Sequence, residues 1–386
     1  MKKIGLSVCY DTKNFGSQLQ VLATIKKIEE LGYETEIIRY KKKLSITFFK
    51  QTLPRFFNPY FIKSKMKGIK KKKAFKEHQD IYENIKIRNK RFQEFARANF
   101  TKLSKEYMGW DGLKKEASVA YDAFLCGSDQ LWLPSNLGSH FYTLEFAPKN
   151  KQKISYATSF GVGQIPWYQK NGTKKYLNRL DSISTREIKG AEIIKGLTNR
   201  DAKVVCDPTL LFNCEEWKNI IADFNVINNK YLFCYFLGSN EEHRKIVNEF
   251  AKRKNLKIVT IPFLDNYVEI DNEFGDIKLY DVDTNDFVNL IRNAEYVITD
   301  SFHGTVFSII NHKKFMIFNR FASTSKDSRN SRIESLCKML EIEDRRYNDD
   351  INKIEQDINY ESVEKLLNNF RTESIKYLEE SLKKVD

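Results

Sequence analysis

A change of hydrophobic period near residue 300 constrains the fold of this chain most strongly. Residues 296–298 are β-formers, whereas Val306, Ile309 and Ile310 recur at helical spacing. Residues 314–318 then return to a strand pattern. This order of strand, sharp turn, helix and strand predicts a compact β-α-β unit, and so an α/β fold.

Polar residues cluster at this turn, and one of them is a histidine. In an open α/β sheet, ligands bind beyond the carboxyl ends of the strands, where helix N-termini present free N–H groups to anions. His303 would face such a crevice, next to Ser301 and Gly304. An imidazole can serve as an acid or a base near neutral pH, so His303 is a candidate catalytic residue. The alternative is that His303 only caps the helix and forms local hydrogen bonds.

The length of 386 residues fits two domains of about 150 to 200 residues each. Strands and helices alternate in two series, which begin near residues 4–10 and 231–237. The predicted fold class is therefore α/β, with two Rossmann-like domains facing across a cleft. The predicted parts are a first domain at 1–211 with a basic aromatic insertion at about 41–106, a linker at 212–228, a second domain at 229–345 and a helical tail at 346–386.

A basic segment accounts for almost all of the net charge. Residues 41–76 hold 13 lysines and arginines and no acid, while the whole chain has a net charge of +14. The same segment contains Phe-Phe pairs, a mixture typical of segments that lie on an anionic membrane surface. Nucleic acid is a competing partner, but no nucleic-acid motif accompanies the segment. A solvated lysine-rich insertion is the third interpretation.

The sequence shows no disulfide, metal or export pattern. Its six cysteines have no paired spacing, and at least four lie in apolar, strand-like runs. No cluster has metal-ligand spacing, and no apolar run is long enough to span a bilayer. The apolar run after Met1 ends at Asp11, which is too short for an export signal. We therefore expect a cytoplasmic protein, free or peripheral at the inner face of the plasma membrane, with no metal or cofactor.

Short polar loops at the predicted strand ends supply the other candidate residues. Gly127 would let the backbone approach a ligand, and Ser128 could bind phosphate. Asp129 could orient a hydroxyl or a base. The alternative is that Gly-Ser-Asp is only a common turn. The guanidinium group of Arg186 has paired N–H donors that suit a carboxylate or a phosphate of a ligand. The alternative is that Arg186 forms an ion pair at the protein surface. Asp207-Pro208 is interpreted as a turn. The remaining loop candidates are Asn14 and Gly16.

Six motifs in order resemble the polysaccharide pyruvyl transferase family. Each motif alone is common, but their content and order together match, over most of residues 1–318. The motifs are Asn-Phe-Gly at 14–16, Gly-Ser-Asp-Gln-x-Trp at 127–132, Ser-Tyr-Ala-x-Ser-x-Gly at 155–161, Ser-x-Arg-Glu at 184–187, Asp-Pro-Thr-Leu at 207–210 and Asp-Ser-Phe-His-Gly at 300–304.

This resemblance implies two Rossmann-like domains in the GT-B manner. It also implies transfer of a pyruvyl group from phosphoenolpyruvate, as co-substrate, onto two hydroxyls of a sugar, which gives a ketal and phosphate. The sugar would belong to a bacterial capsule or exopolysaccharide, or to its lipid-linked precursor. Arg186 would hold the donor, and His303 would lie at the donor site. Asp129 is the second candidate catalytic residue, because it could accept a proton from the acceptor hydroxyl.

The chain departs from the family at one position. Many members carry an arginine two residues before the histidine, where this chain has Ser301. An anionic donor needs several cationic partners, which Arg320 and Lys326 could supply. Two rival hypotheses stay open: a GT-B glycosyltransferase that uses a nucleotide sugar, and a non-catalytic binding protein of the same fold.

Overall fold

The computed structural model describes residues 1–53, 57–59, 61–62, 65–66, 68, 78–136, 140–265, 267–320 and 331–385. Much of the basic segment 41–76, and Lys326, lie outside the described residues.

The first sheet has seven strands, all of them parallel to their neighbours. Its strand order is β3-β2-β1-β4-β5-β6-β7, so the order reverses between β1 and β4. Helices cover both faces of such a sheet, and β4 is accordingly buried along almost its whole length. The strands are β1 Lys3–Ser7, β2 Glu34–Lys41, β3 Leu103–Met108, β4 Ala123–Asp129, β5 Gln152–Thr158, β6 Ser184–Thr185 and β7 Lys203–Val204.

The second sheet has five parallel strands in the order β10-β9-β8-β11-β12. Here the order reverses between β8 and β11. A reversal of this kind opens a crevice at the carboxyl ends of the strands, and each sheet has one. The strands are β8 Tyr231–Tyr235, β9 Lys257–Thr260, β10 Ile277–Lys278, β11 Tyr296–Thr299 and β12 Lys314–Ile317.

Capping residues set where the two helices next to these crevices begin. The first helix begins at Phe15, capped by Asn14, so Gly16, predicted to lie in a loop, is in its first turn. The helix after β11 begins at Phe302, capped by Ser301. The helices are α1 Phe15–Glu30, α2 Ile46–Thr52, α3 Gln79–Asn99, α4 Gly109–Ala120, α5 Lys170–Leu177, α6 Ile188–Thr198, α7 Cys214–Ile220, α8 Glu241–Lys254, α9 Thr284–Arg292, α10 Phe302–Ile310, α11 Ser331–Met339 and α12 Tyr360–Leu382.

The predicted insertion and the predicted linker each contain an element that the sequence did not predict. The segment predicted as an insertion up to about 106 includes β3, which pairs with β2 at the edge of the first sheet. This strand has only two buried residues, so its sequence lacks the apolar run of a central strand. The segment predicted as a linker includes α7, which begins with a capping box at Asn213 and Glu216.

The two sheets are joined by direct contacts beside α1. Phe15 stacks on Phe287 of α9, with ring centroids 4.8 Å apart and an interplanar angle of 4°. Gln18 accepts a hydrogen bond from the Thr284 hydroxyl at 2.6 Å. Helix α3 adds an ion pair between Arg88 and Asp265 at 3.2 Å. These contacts close one side of the space between the sheets.

The C-terminal helix α12 returns to the first sheet after the second sheet is complete. Ser374 Oγ accepts a hydrogen bond from the Cys206 N–H at 2.9 Å, and Arg371 Nε donates to the Leu210 carbonyl at 2.8 Å. The Tyr377 hydroxyl donates to the Ser155 carbonyl at 2.9 Å.

Within the described part of the chain, no helix is both long and apolar enough to cross a bilayer.

We predict that Leu367→Ala in α12 lowers the free energy of unfolding by about 2 to 5 kcal/mol, because Leu367 is fully buried and the substitution leaves a cavity. Urea unfolding followed by circular dichroism measures the change. Asn369→Ala, at an exposed position of the same helix, is the matched control and should change stability little. Equal stability of the two variants would show that α12 is not part of the cooperative core.

Candidate functional site

A cavity of about 380 Å³ lies between the two sheets, at the carboxyl ends of their strands. Its wall combines loop residues of both halves of the chain, as the α/β topology predicts. The lining residues are Thr12, Lys13, Asn14, Gly16, Ser17, Asp129 and Gln130 from the first half, and Tyr235, Leu237, Asp265, Phe287, Asp300, Ser301, Phe302, His303, Arg320, Arg332 and Ile333 from the second.

A fully buried carboxylate, Asp207, lies behind this wall. Arg186 Nη1 donates to Asp207 Oδ2 at 2.6 Å, and Thr209 Oγ1 donates to Oδ1 at 2.7 Å. His303 Nε2 lies 3.6 Å from Oδ1. Burial alone would raise the pKa of Asp207, but the charges of His303 and Arg186 outweigh burial and hold the pKa well below its usual range. Asp207 is therefore ionised and joins residues from both halves of the chain.

His303 is held between this carboxylate and the start of α1. A Cβ atom on Gly16 would lie only 1.9 Å from His303 Nδ1, so no larger residue fits at position 16. The imidazole is buried yet lines the cavity. Packing against Gly16 on one side and Asp207 on the other fixes the orientation of the ring, as a catalytic or binding role requires.

Arg186 has unused hydrogen-bond donors beside the cavity. Its guanidinium carbon lies 4.5 Å from the centroid of Phe302, and Nη2 lies 3.5 Å from Asp129 Oδ1. Its Nε and Nη2 make no hydrogen bond with any described residue, although the residue is only 5% exposed. Buried donors without acceptors are costly. Arg186 itself is not a lining residue, but Asp129 and Phe302, which it contacts, both line the cavity.

Asp129 lies on the cavity wall with its charge already balanced. Its Oδ2 accepts a hydrogen bond from Ser17 Oγ at 2.7 Å. Burial opposes ionisation, but the charges of Arg186, His303 and Arg332 lower the pKa of Asp129 below its usual range. A carboxylate with a lowered pKa is a weak proton acceptor, so this geometry suits an orienting contact better than proton abstraction.

Two predicted contact residues cap helices at the cavity. Asn14 Oδ1 accepts from the Ser17 N–H at 3.0 Å, and Ser301 Oγ faces the Gly304 N–H at 3.4 Å. The N–H of Gly304, predicted to bind phosphate, is therefore directed at its own cap. Gly304 is also needed for packing, because a Cβ there would lie 2.6 Å from Thr299 Oγ1.

Gly127 and Ser128 lie behind the wall, so the predicted direct contact with phosphate is corrected. The Ser128 N–H donates to Gln20 Oε1 at 3.0 Å, and Ser128 Oγ lies 3.0 Å from the Ala157 carbonyl and 3.2 Å from Asp207 Oδ2. Both polar groups are thus engaged within the protein, and Ser128 is fully buried. At Gly127, a Cβ would lie 1.9 Å from the Tyr156 carbonyl oxygen. Both residues support the buried network.

Asp300 holds together two strand ends on the part of the cavity wall that the second sheet forms. Its carboxylate accepts hydrogen bonds from the N–H groups of Leu237 and Gly238 at 2.7 and 2.8 Å, which ties the end of β8 to the end of β11. Burial raises the pKa of Asp300, while these N–H groups and the charge of Arg320 oppose the rise. Arg320, predicted as a substitute cation, lines the cavity at this end.

Residues 14–320 match the family model described as Polysaccharide pyruvyl transferase. The chain belongs to the polysaccharide pyruvyl transferase family. This confirms the resemblance found in the motifs, and the family is one of transferases. The matched range begins at Asn14 and ends at Arg320, so it spans the wall except Thr12, Lys13, Arg332 and Ile333. No curated protein sequence matches the chain.

Solved structures confirm the predicted GT-B-like fold. The UDP-GlcNAc 2-epimerase of Neisseria meningitidis, solved with UDP-GlcNAc, aligns over 100% of both chains with a TM-score of 0.50 and 9% identity. A candidate UDP-N-acetylglucosamine 2-epimerase of Listeria monocytogenes aligns over 98% of this chain and 90% of its own, with a TM-score of 0.50 and 11% identity. At such identities the likeness shows the fold alone.

Two important residues of this pyruvyl transferase family member were missed or misassigned from sequence. Asp207 does begin the predicted turn, because it caps residues 208–211, but its contacts with Arg186 and His303 left no local signal. Arg332, in α11, had no local signal and lies beyond the family match. Its guanidinium carbon is 5.5 Å from the Phe302 centroid, so Phe302 has two guanidinium groups near its ring, those of Arg186 and Arg332.

Among the described residues, no group of three or more His, Cys, Asp or Glu side chains could hold a metal.

We predict that Asp207→Asn destabilises the protein by about 3 to 5 kcal/mol at neutral pH, because it leaves the buried Arg186 charge without its partner. Since the folded pKa of Asp207 is lowered, its stabilising effect is full above the ordinary Asp pKa of about 4 and fades as the pH falls below it. The stability difference between wild type and variant should therefore shrink in acid.

Urea unfolding at several pH values measures this difference. Asp181→Asn is the control, because Asp181 pairs with Lys153 at 2.8 Å but is 42% exposed, and we expect a smaller loss from it. A gap between wild type and Asp207→Asn that stays constant into acid would contradict the assigned ionisation.

Proposed function

We propose that this chain transfers a pyruvyl group from phosphoenolpyruvate to two hydroxyls of a sugar, forming a ketal and releasing phosphate. The observation that carries the proposal is the buried Arg186, whose Nε and Nη2 lack acceptors among the described residues, beside a cavity lined by His303. Membership of the polysaccharide pyruvyl transferase family supports the donor and the reaction.

The charges around the cavity suit a donor with a carboxylate and a phosphate. Asp129 and Asp207 are ionised, and Arg186 balances part of their charge. Lys13, Arg320 and Arg332 add three cations on the wall, which also carries Asp265 and Asp300. Guanidinium groups bind both carboxylate and phosphate through paired N–H donors, so these cations offer contacts to each end of the donor. No metal or cofactor takes part in the proposed reaction.

In the proposed reaction, one sugar hydroxyl adds to C2 of the donor while C3 receives a proton. The second hydroxyl then displaces phosphate: its oxygen bonds to C2 as the bond from C2 to the phosphate oxygen breaks, and its proton leaves with the phosphate. The proton lost by the first hydroxyl balances the one received by C3. His303 serves as the acid that protonates C3 or stabilises the leaving phosphate, and the Asp207 carboxylate 3.6 Å from Nε2 orients the imidazole. Asp129 orients the acceptor hydroxyl, and Arg186 holds the donor carboxylate.

The acceptor in this proposal is a sugar of a capsule or exopolysaccharide, or of its lipid-linked precursor. A lipid-linked acceptor would be modified at the cytoplasmic face of the plasma membrane. The basic segment 41–76 supports this location, because 13 basic residues without an acid attract anionic lipid.

We predict that phosphoenolpyruvate stabilises the purified protein, by about 2.7 kcal/mol at a concentration about 100 times its dissociation constant. A thermal-shift titration measures the effect without any acceptor, and UDP-, GDP- and CMP-sugars run in parallel. Arg186→Lys should remove most of the shift, because an ammonium cannot offer the paired donors of the fork. A shift with a nucleotide sugar alone would instead support the glycosyltransferase alternative, with Ser301 as the mark of a different donor.

We predict that His303→Ala lowers the rate of phosphate release in the presence of acceptor by roughly 100-fold or more, because the acid is removed. The variant should be less stable because His303 helps to balance the buried Asp207 charge, but it should still fold because Arg186 and Thr209 keep their contacts with Asp207; circular dichroism checks this. His312→Ala is the control, because His312 is an exposed histidine paired with Glu364 outside the cavity. Unchanged turnover in His303→Ala would exclude His303 as the acid.

A further inference from the structure

Trp167 is the most exposed of the four tryptophans. It is 83% exposed, whereas Trp132 and Trp217 are fully buried and Trp110 is half-buried. A tryptophan so exposed leaves a large apolar surface in water, which usually marks a contact with another surface. Behind it, the loop 163–167 and α6 enclose an open cavity of about 710 Å³, lined in part by Ile165 and Leu197.

The Trp167 loop is tied to the basic segment by hydrogen bonds. The Tyr168 hydroxyl donates to Asn58 Oδ1 at 3.1 Å. The side-chain amides of Asn58 and Gln169 both donate to the carbonyl of Pro134, at 3.0 and 2.9 Å. Asn58 and Tyr168 are the direct neighbours of Phe57 and Trp167, which are 80% and 83% exposed. The two exposed aromatic residues therefore belong to one surface.

Helix α2 ends at Thr52, five residues before Phe57, and carries an outward apolar stripe. Ile46, Phe49 and Leu53 are 76%, 61% and 63% exposed, and their spacing places them on one helical face. Thr47 contacts Asp111 of α4, 3.2 Å from Oδ2, so a different face of α2 is directed at the protein. Apolar residues thus project from α2 where a typical surface helix has its polar face.

The segment around Trp167 also repeats the charge pattern of 41–76. Residues 162–180 contain four basic residues and no acid. Lys170, Lys174 and Lys175 of this group are exposed in and around the helix α5 that follows Trp167. Exposed apolar side chains among lysines without acids match an anionic lipid surface, whereas protein interfaces are depleted in lysine.

We propose that α2, Phe57, Trp167 and the α5 lysines form one membrane-docking face that binds anionic lipid, with Trp167 at the level of the headgroups. Trp and Tyr side chains favour that level because their rings are apolar and their polar atoms can remain hydrated. The inference rests on the peripheral location in the proposed function, and it extends the lipid contact beyond 41–76 to a second segment about 90 residues further along the chain. The face would hold the protein against the membrane that carries a lipid-linked acceptor.

Tryptophan fluorescence tests this face in the full-length protein without donor or acceptor. Vesicles that contain phosphatidylglycerol should shift the emission to shorter wavelength, and vesicles of phosphatidylcholine alone should not. The shift should disappear in Trp167→Phe, which removes the exposed indole but keeps an aromatic ring. Because Trp167 has few contacts, the variant should fold normally, and circular dichroism checks that it does.

Sedimentation with the same vesicles tests the lysines. Replacing Lys170, Lys174 and Lys175 with Gln should weaken binding at least tenfold, because three positive charges that attract the anionic surface are lost. The matched control replaces Lys245, Lys252 and Lys257, three exposed lysines of the second half of the chain, and should bind as wild type does.

Three outcomes would overturn the proposal: no emission shift in the wild type, a shift that persists in Trp167→Phe, or equal loss of binding in the two lysine triples. An emission shift with single-stranded RNA but not with vesicles would assign the face to nucleic acid and overturn it as well. Phosphoenolpyruvate takes no part in these assays. A failure of donor binding therefore leaves the result on membrane docking intact, and the reverse also holds.

Discussion

The buried carboxylate of Asp207 is the interaction on which the rest of the site depends. It is fully excluded from water, so its charge is tolerable only while Arg186 and His303 remain close to it. Arg186 follows β6 of the first sheet, and His303 lies in the first turn of α10 after β11 of the second. One charge thus requires both halves of the chain to meet in a fixed relation, and the cavity is the space left between them.

This constraint also explains why so many polar groups near the cavity are directed inward. Ser128 contacts Asp207 and the Ala157 carbonyl, Ser17 donates to Asp129, and Asp300 accepts from two backbone N–H groups. Each of these contacts fixes a loop that ends a strand. The loops then hold the remaining donors, above all those of Arg186, in place before any ligand arrives, so binding need not supply the cost of ordering them.

The sequence predicted the parts of this structure that depend on local pattern. The period change near residue 300 located β11, α10 and His303, and polar residues at strand ends located Asn14 and Gly16. Side-chain direction and distant contacts left no such pattern. Whether Ser128 faces the cavity or the interior depends on the path of β4, and β3 has too few apolar residues to stand out. Asp207 looked like an ordinary turn because its partners are distant in the sequence.

The departure at position 301 illustrates the same limit. A serine here caps α10 through its hydroxyl, which an arginine could not do in the same way. The cationic character of the wall is nonetheless kept, because α11 brings Arg332 to within 5.5 Å of the Phe302 ring, which Arg186 also approaches. Electrostatic attraction to an anion depends on where a charge lies in space and not on its place in the chain. A missing arginine in a motif therefore does not by itself mean a missing cation in the cavity.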